Sequence, residues 1–335
     1  MDPQQAAMEL TRLIGGFQIS RMIQVVASLG VADLLKDGPR SYDEIAAATG
    51  AHPRSMYRLL HALASTGVLE EEADACFSLT DIGECPRSDS PHSRAAWARQ
   101  TDRAYVWNSW GALRHSVMTG EDAFRHLHGA GVWDWRAERP EEAEIFDASM
   151  TEMSRGVADA IGEAVDFSGF ECIVDVGGGR GVLLAGILKR NPGSRGILYD
   201  LPHVVAGAPP VLRAQGVADR CEIVGGDMFR SVPQGGDAYV IKSVLIDEED
   251  ARATEILRSC RSVIGASGRL IVIDILAAEP NRPDAGFLDM TMLVLTGGRE
   301  RTLVEYSALF ADAGFRLEQS IDSRSPFTLL IGAPV

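Results

Sequence analysis

Glu171–Gly181 reads ECIVDVGGGRG, and the fold turns on these eleven residues. A short apolar run that ends in clustered glycines predicts a buried strand entering a tight turn. The next stretch, GVLLAGILKRNP (181–192), has the apolar spacing of a helix that starts at the turn and stops at a proline. Four more apolar runs follow at strand–helix spacing: GILYDLP, RCEIVGGDMF, DAYVIKSVL and GRLIVIDIL. This alternation predicts an α/β, Rossmann-like, doubly wound and mostly parallel sheet. The final runs, FRLEQSID and FTLLIGA, are close enough to form an antiparallel hairpin at one edge.

The glycine turn narrows the ligand. A dinucleotide fingerprint needs glycine at 182, where the chain has Val182, and there is no G-K-[ST] of a phosphate loop. Two acids stand at the ends of the next two strands. Asp200 is placed to accept hydrogen bonds from both hydroxyls of a ribose. Asp227, in GGDMF, is placed to accept from an adenine amino group, with Met228 against the ring. A glycine turn with these two acids suits an adenosine that carries no phosphate, and S-adenosylmethionine is the ligand that needs this set. Asp200 alone also reads as a helix cap.

Toward the N-terminus the pattern changes. Residues 17–36 repeat apolar side chains every three or four positions, as a buried helical face does. Ser41 and Glu44 make a capping box. Pro53 opens a helix with Met56, Leu59, Leu60 and Leu63 on one side, and VLEEEADACFSLT reads as two extended runs about an acidic turn. Helix, helix and ribbon make a winged helix over residues 1–105. As a DNA reader it would offer the groove only Arg54 and Arg58 beside an acidic wing, so dimerisation is the expected role. Residues 106–335 hold a helical, substrate-lining segment (106–160), with four of the five tryptophans, and the strand–helix domain.

The whole chain agrees with this division. Its 335 residues suit two domains, and a net charge of -15 disfavours nucleic acid and anionic membrane as partners. No apolar run approaches the ~20 residues of a membrane span. The five cysteines are scattered, with no C-x-x-C pair, which points to free thiols in a reducing cytoplasm. No His, Cys, Asp or Glu spacing suggests a metal site.

Taken together, VDVGGGRG, YDLPHVV, GDMF, YVIKSVL, GRLIVID and GGRERT, with MTGEDAF, HGAGVWDW and FDASM, resemble the caffeate-type small-molecule O-methyltransferases of plants and their bacterial natural-product relatives. The resemblance runs nearly end to end. It implies a homodimer formed through the N-terminal domain and cofactor contacts from Asp175, Gly177, Gly179, Asp200, Leu201, Asp227, Met228 and Lys242. It also implies that Met150 packs on the substrate, in a pocket where Trp107, Phe124, Ile246, Met292 and Leu295 are further candidates for the lining.

One position departs from that family's pattern. The resemblance implies a catalytic histidine where the chain has Ile246, in KSVLIDEED, flanked by acids at Asp274 and Glu300. A phenol titrates near ~10, so its proton needs a base at neutral pH. Asp247 or Glu300, in an apolar pocket that raises a carboxylate's pKa, can take that role, with Asp274 behind it. His128, two residues from His126, is a more remote substitute. The expected activity is methyl transfer to a small, aromatic acceptor through C, N or O. A non-methylating reaction on the same fold (pericyclic closure, hydroxylation or decarboxylation) and a winged-helix regulator are the alternatives.

Overall fold

The computed structural model describes residues 1–282 and 285–335 and divides into two compact units, Met1–Trp107 and Asn108–Val335. In the first unit, helices Tyr42–Thr49 and Pro53–Ala64 lie in the chain between β1 (Arg40–Ser41) and β2 (Leu69–Glu71), which with β3 (Cys76–Leu79) form a three-stranded sheet ordered β1-β3-β2. Ser41 and Glu44 do form a capping box. Met56, Leu60 and Leu63 pack with Ile45, Leu35 and Phe77, and Leu59 lies beside that core. The apolar repeat over 17–36 does not make one helix. It breaks into Gly16–Ser28 and Val31–Leu35, because Gly30 adopts the left-handed conformation (φ 67°), which side chains disfavour. The helix before these, Pro3–Ile14, buries none of its residues and leaves Met8, Leu13 and Ile14 exposed.

The second unit opens with five helices between Leu113 and Ala164. A seven-stranded sheet follows: β4 (Cys172–Val176), β5 (Arg195–Asp200), β6 (Cys221–Gly225), β7 (Ala238–Lys242), β8 (Arg269–Asp274), β9 (Phe315–Asp322) and β10 (Thr328–Pro334). Its order is β6-β5-β4-β7-β8-β10-β9. The first five are parallel, and β10 runs antiparallel to both β8 and β9. All five residues of β4 are buried, as a central parallel strand with both faces covered requires. One face packs Val174, Val176, Ile241 and Val272 on Tyr306 and Phe310; the other packs Ile173, Val240 and Ile271 on Leu184 and Leu188. The chain winds outward from β4 to β6, then returns to β7 on the other side of β4. That reversal opens a crevice at the carboxyl ends of β4 and β7, where such sheets bind ligands. Among the described residues no helix is long and apolar enough to cross a membrane, and no group of three or more His, Cys, Asp or Glu converges as metal ligands would.

Candidate active site

The glycine turn leaves β4 at this crevice. Gly177 and Gly179 both have positive φ, 71° and 60°. A Cβ at Gly178 would lie 2.6 Å from both Asp175 Oδ2 and Leu198 Cδ1, so the turn is bare main chain by necessity. Asp200, at the end of β5, accepts from the Gly179 amide at 2.8 Å and from the Leu201 amide at 2.7 Å. Those two bonds fix the carboxylate in place and use only half of its acceptor capacity, leaving room for two ribose hydroxyls. Burial raises its pKa, and the two amides pull it back.

Asp175 is 1 % exposed, and neither of its oxygens has a hydrogen-bond partner. Burial pushes its carboxyl up to about 7. An orphaned acceptor beside a bare turn fits the ammonium of a methionyl group. Asp227 follows β6, where its Oδ1 accepts from the Phe229 amide at 3.0 Å. Met228 beside it reaches toward Gly177. The turn, Asp175 and Asp200 thus offer partners for the ammonium, the backbone and the sugar of S-adenosylmethionine.

Lys242 ends β7. Its ammonium lies 4.7 Å above the Phe327 ring and donates to Ser243 Oγ at 3.3 Å. Burial lowers its pKa, while Asp274, Asp175 and Asp247 raise it. The backbone then passes through a left-handed Ser243 (φ 52°) into a single 3₁₀ turn, Leu245–Asp247.

In that turn Ile246 is 4 % exposed. Burial pushes the neighbouring Asp247 carboxyl up to about 8; Asp274 and Glu248 push the same way, against Arg136 and Lys242. Asp274 ends β8, accepts from the Tyr306 hydroxyl at 2.7 Å and has a second oxygen without a partner. Burial holds it near 6. Asp247 and Asp274 therefore act on each other as two carboxyls in one poorly hydrated place. Glu300 is differently placed. Burial raises its pKa, its amide donates to Asp289 Oδ1 at 2.8 Å, and Asp289 is the charge it feels.

The candidate lining residues lie on several elements, and the helices Ala123–His128 and Phe287–Leu295 that carry three of them pack on each other. Phe124 is fully buried in contact with His128 and Trp135, at 4.4 and 5.5 Å between centroids. Met292 and Leu295 are buried on the helix Phe287–Leu295, and Met150 is half-buried on Pro140–Ser154. Trp107 ends the first unit, where its indole donates to Gln24 at 3.1 Å beneath the Arg21 guanidinium. His128 has a buried Nε2 with no hydrogen-bond partner, and burial, followed by the charge of Arg139, lowers its pKa.

Several residues were not singled out from the sequence. Asp147, four residues along from Ala143 on the helix that carries Met150, is pushed by burial to about 6 and faces Arg180 of the glycine turn at 3.5 Å. Tyr306 and Arg301 are both fully buried, Tyr306 against Asp274 and Arg301 against the Leu245 and Glu248 carbonyls. FDASM and GGRERT marked the segments of Asp147 and Arg301, but nothing in either motif states which partner each side chain meets.

Comparison with known proteins identifies both units. Residues 110–316 match the sequence model of an O-methyltransferase domain, and residues 11–86 match that of an O-methyltransferase dimerisation domain. The chain is 38 % identical over 327 residues to the phenazine O-methyltransferase PhzM of Lysobacter antibioticus, covering 97 % of this chain and 96 % of that protein. It superposes on the crystal structure of LaPhzM with a TM-score of 0.95 at 37 % identity, covering 98 % and 99 % of the two chains. It also matches NcsB1 from neocarzinostatin biosynthesis, solved with S-adenosylmethionine and 2-hydroxy-5-methyl naphthoic acid (TM-score 0.80, 29 % identity, 94 % and 96 % covered).

Proposed function

The chain belongs to the O-methyltransferase family and uses S-adenosylmethionine, and from that premise we propose that it methylates a hydroxyl of a small aromatic natural-product intermediate with Asp247 as general base. The observation that carries this reading is the place of Asp247 in the turn after β7, next to Ile246, where the resemblance implies an imidazole; its partial burial and Asp274 push its carboxyl up to about 8. An ordinary carboxylate is a poor base toward a phenol. One raised to about 8 lies within ~2 units of a phenol's ~10, closer than a free imidazole at ~6.5.

When bound, S-adenosylmethionine supplies an electrophilic methyl group on its sulfonium. Asp200 holds the ribose, and Asp175 holds the methionyl ammonium. On the acceptor side Asp247 takes the hydroxyl proton as the oxygen becomes nucleophilic, and Asp274, fixed by Tyr306, keeps a negative field behind it. Ile246 excludes water from the transfer path. Met150, Met292 and Leu295 supply apolar surface for a flat acceptor. Lys242 balances the charge of the three carboxylates around it. The first unit, which matches the dimerisation model, joins two copies of the chain.

The test is direct. Purified protein, methyl-labelled S-adenosylmethionine and a panel of hydroxylated phenazines and naphthoic acids are expected to yield a labelled methyl ether and one equivalent of S-adenosylhomocysteine. Label on nitrogen or carbon refutes the oxygen assignment. Conversion of an acceptor with the labelled methyl still on the cofactor refutes methyl transfer altogether.

A further inference from the structure

Arg301 is absorbed by none of the roles above, yet its guanidinium is 0 % exposed. A buried guanidinium persists only where its donors are met. Here one fork meets three acceptors around the acceptor-side turn. Nη1 donates to the Leu245 carbonyl at 2.6 Å, Nη2 donates to the Glu248 carbonyl at 2.6 Å, and Nε donates to Asp250 Oδ1 at 2.9 Å. The two carbonyls bracket Ile246 and Asp247 in the chain, so a single planar group spans the residues at issue. Arg299 holds Asp250 from the other side at 2.9 Å and is joined to Glu305 at 2.6 Å. Arg301 is itself held by a backbone bridge to Leu276, just past β8, and by the Ala277 amide at 3.0 Å.

The turn needs such a hold. A three-residue 3₁₀ segment has poor internal hydrogen bonding, and this one follows a left-handed serine. Gly298 closes it from above: a Cβ there would collide with the Ile246 carbonyl oxygen and the Asp247 backbone. The segment GGRERT thus grips the turn twice, by a glycine against its backbone and by a guanidinium under its carbonyls.

We propose that Arg301 is a positioning residue for methyl transfer: by bridging the Leu245 and Glu248 carbonyls it fixes Asp247, half-buried in the turn, at the acceptor site. The inference rests on the reading of Asp247 as base. Arginine is required rather than a generic cation, because lysine has no planar fork to meet two carbonyls and a carboxylate together. The charges that face Asp247 are Asp274 from β8, Glu248 from its own segment, Arg136 from the helix Val132–Ala137 and Lys242 from β7. Arg301 itself lowers the pKa of Asp274 and Glu248, and Arg301→Lys keeps that charge while removing the fork, so the substitution isolates geometry from field.

The experiment titrates Asp247 without needing a substrate. Protein labelled with ¹³C at aspartate carboxyls is followed by NMR across pH, and the resonance lost in Asp247→Asn assigns the group. We expect the Asp247 midpoint to fall by at least about one unit in Arg301→Lys, since a freed turn lets the carboxylate reach water. The affinity for S-adenosylhomocysteine, measured by calorimetry, should stay within about twofold. Should Arg301→Lys fail to fold, Asp250→Ala removes the third acceptor from the more exposed side, and a smaller fall in the same direction is expected. An unchanged midpoint in a folded variant overturns the positioning role. Unimpaired turnover by Asp247→Asn would instead overturn the base, so the two failures are distinguishable.

Discussion

Replacing Asp247 with asparagine keeps the shape of the turn and removes its proton acceptor. With a carboxyl at about 8, roughly a tenth of the free enzyme is ionised at pH 7 and roughly nine-tenths at pH 9. The wild-type kcat/KM for a phenolic acceptor should therefore climb about tenfold between those values, since that ratio reports groups of the free enzyme. Loss of general-base assistance costs about 10²–10⁴-fold, so Asp247→Asn should fall by that factor. Asp175 near 7 and Asp274 near 6 also titrate in the range, but both are retained in the variant. The difference between the two profiles consequently isolates Asp247. In the ternary complex the sulfonium charge favours the ionised carboxylate, so the limb in kcat should lie below the limb in kcat/KM. The assay is S-adenosylhomocysteine release at saturating cofactor from pH 6 to 9.5. A flat wild-type profile, or a variant within threefold of wild type at every pH, would refute the reasoning.

Asp200→Ala removes two charge-assisted contacts to the ribose, each worth about 1.5–3 kcal/mol, so calorimetry should show S-adenosylhomocysteine binding weakened by at least about 10²-fold. Ile246→His should fold, because that side chain is not what holds the turn, and should move the pH limb of the rate toward ~6.5; an unmoved limb would mean that residue 246 does not face the acceptor. The folded-state pKa values of Asp175, Asp247 and Asp274 are raised, to about 7, 8 and 6, so the stability tied to their protonated forms is present below ordinary carboxylate values and is lost as pH rises through 6 to 8. Thermal melts of the ligand-free protein should therefore drop between pH 5.5 and 8.5, and Asp247→Asn should flatten the drop; equal melting temperatures across that range would contradict the burial argument.

Much of the fold was legible because its determinants are local. The inner strands β4, β5, β7 and β8 were marked by apolar runs, since strands covered on both faces carry little else, and the half-exposed edge strands β6 and β9 by mixed runs between turns. The capping box at Ser41 and the glycine turn at Gly177–Gly181 are written in adjacent residues. The exception within this class was Gly30: the apolar period continues through 17–36, and only the backbone angle shows the break. The site was legible in part. The ribose and glycine elements follow from strand ends, but Tyr306 meets Asp274 across 32 residues of sequence, and Arg301 meets Leu245 across 56. No spacing rule reports such pairs. Trp107 was singled out as part of a tryptophan-rich stretch, and its contacts with Gln24 and Arg21, more than 80 residues away in the chain, are likewise announced by no motif. Glu300 lies by Asp289, which the motif containing it did not announce.

The grip on the Leu245–Asp247 turn involves main-chain oxygens and a glycine, and touches no side chain of residue 246. Heredity can therefore exchange the group at that position, within the limits of its buried volume, without disturbing the scaffold that presents it. A mutation there would alter reactivity at small expense in folding, whereas one at Gly298 or Arg301 would forfeit the scaffold first. A saturation library at 246 should accordingly yield mostly folded proteins with altered acceptor preference, whereas libraries at Gly298 and Arg301 should yield mostly unfolded ones.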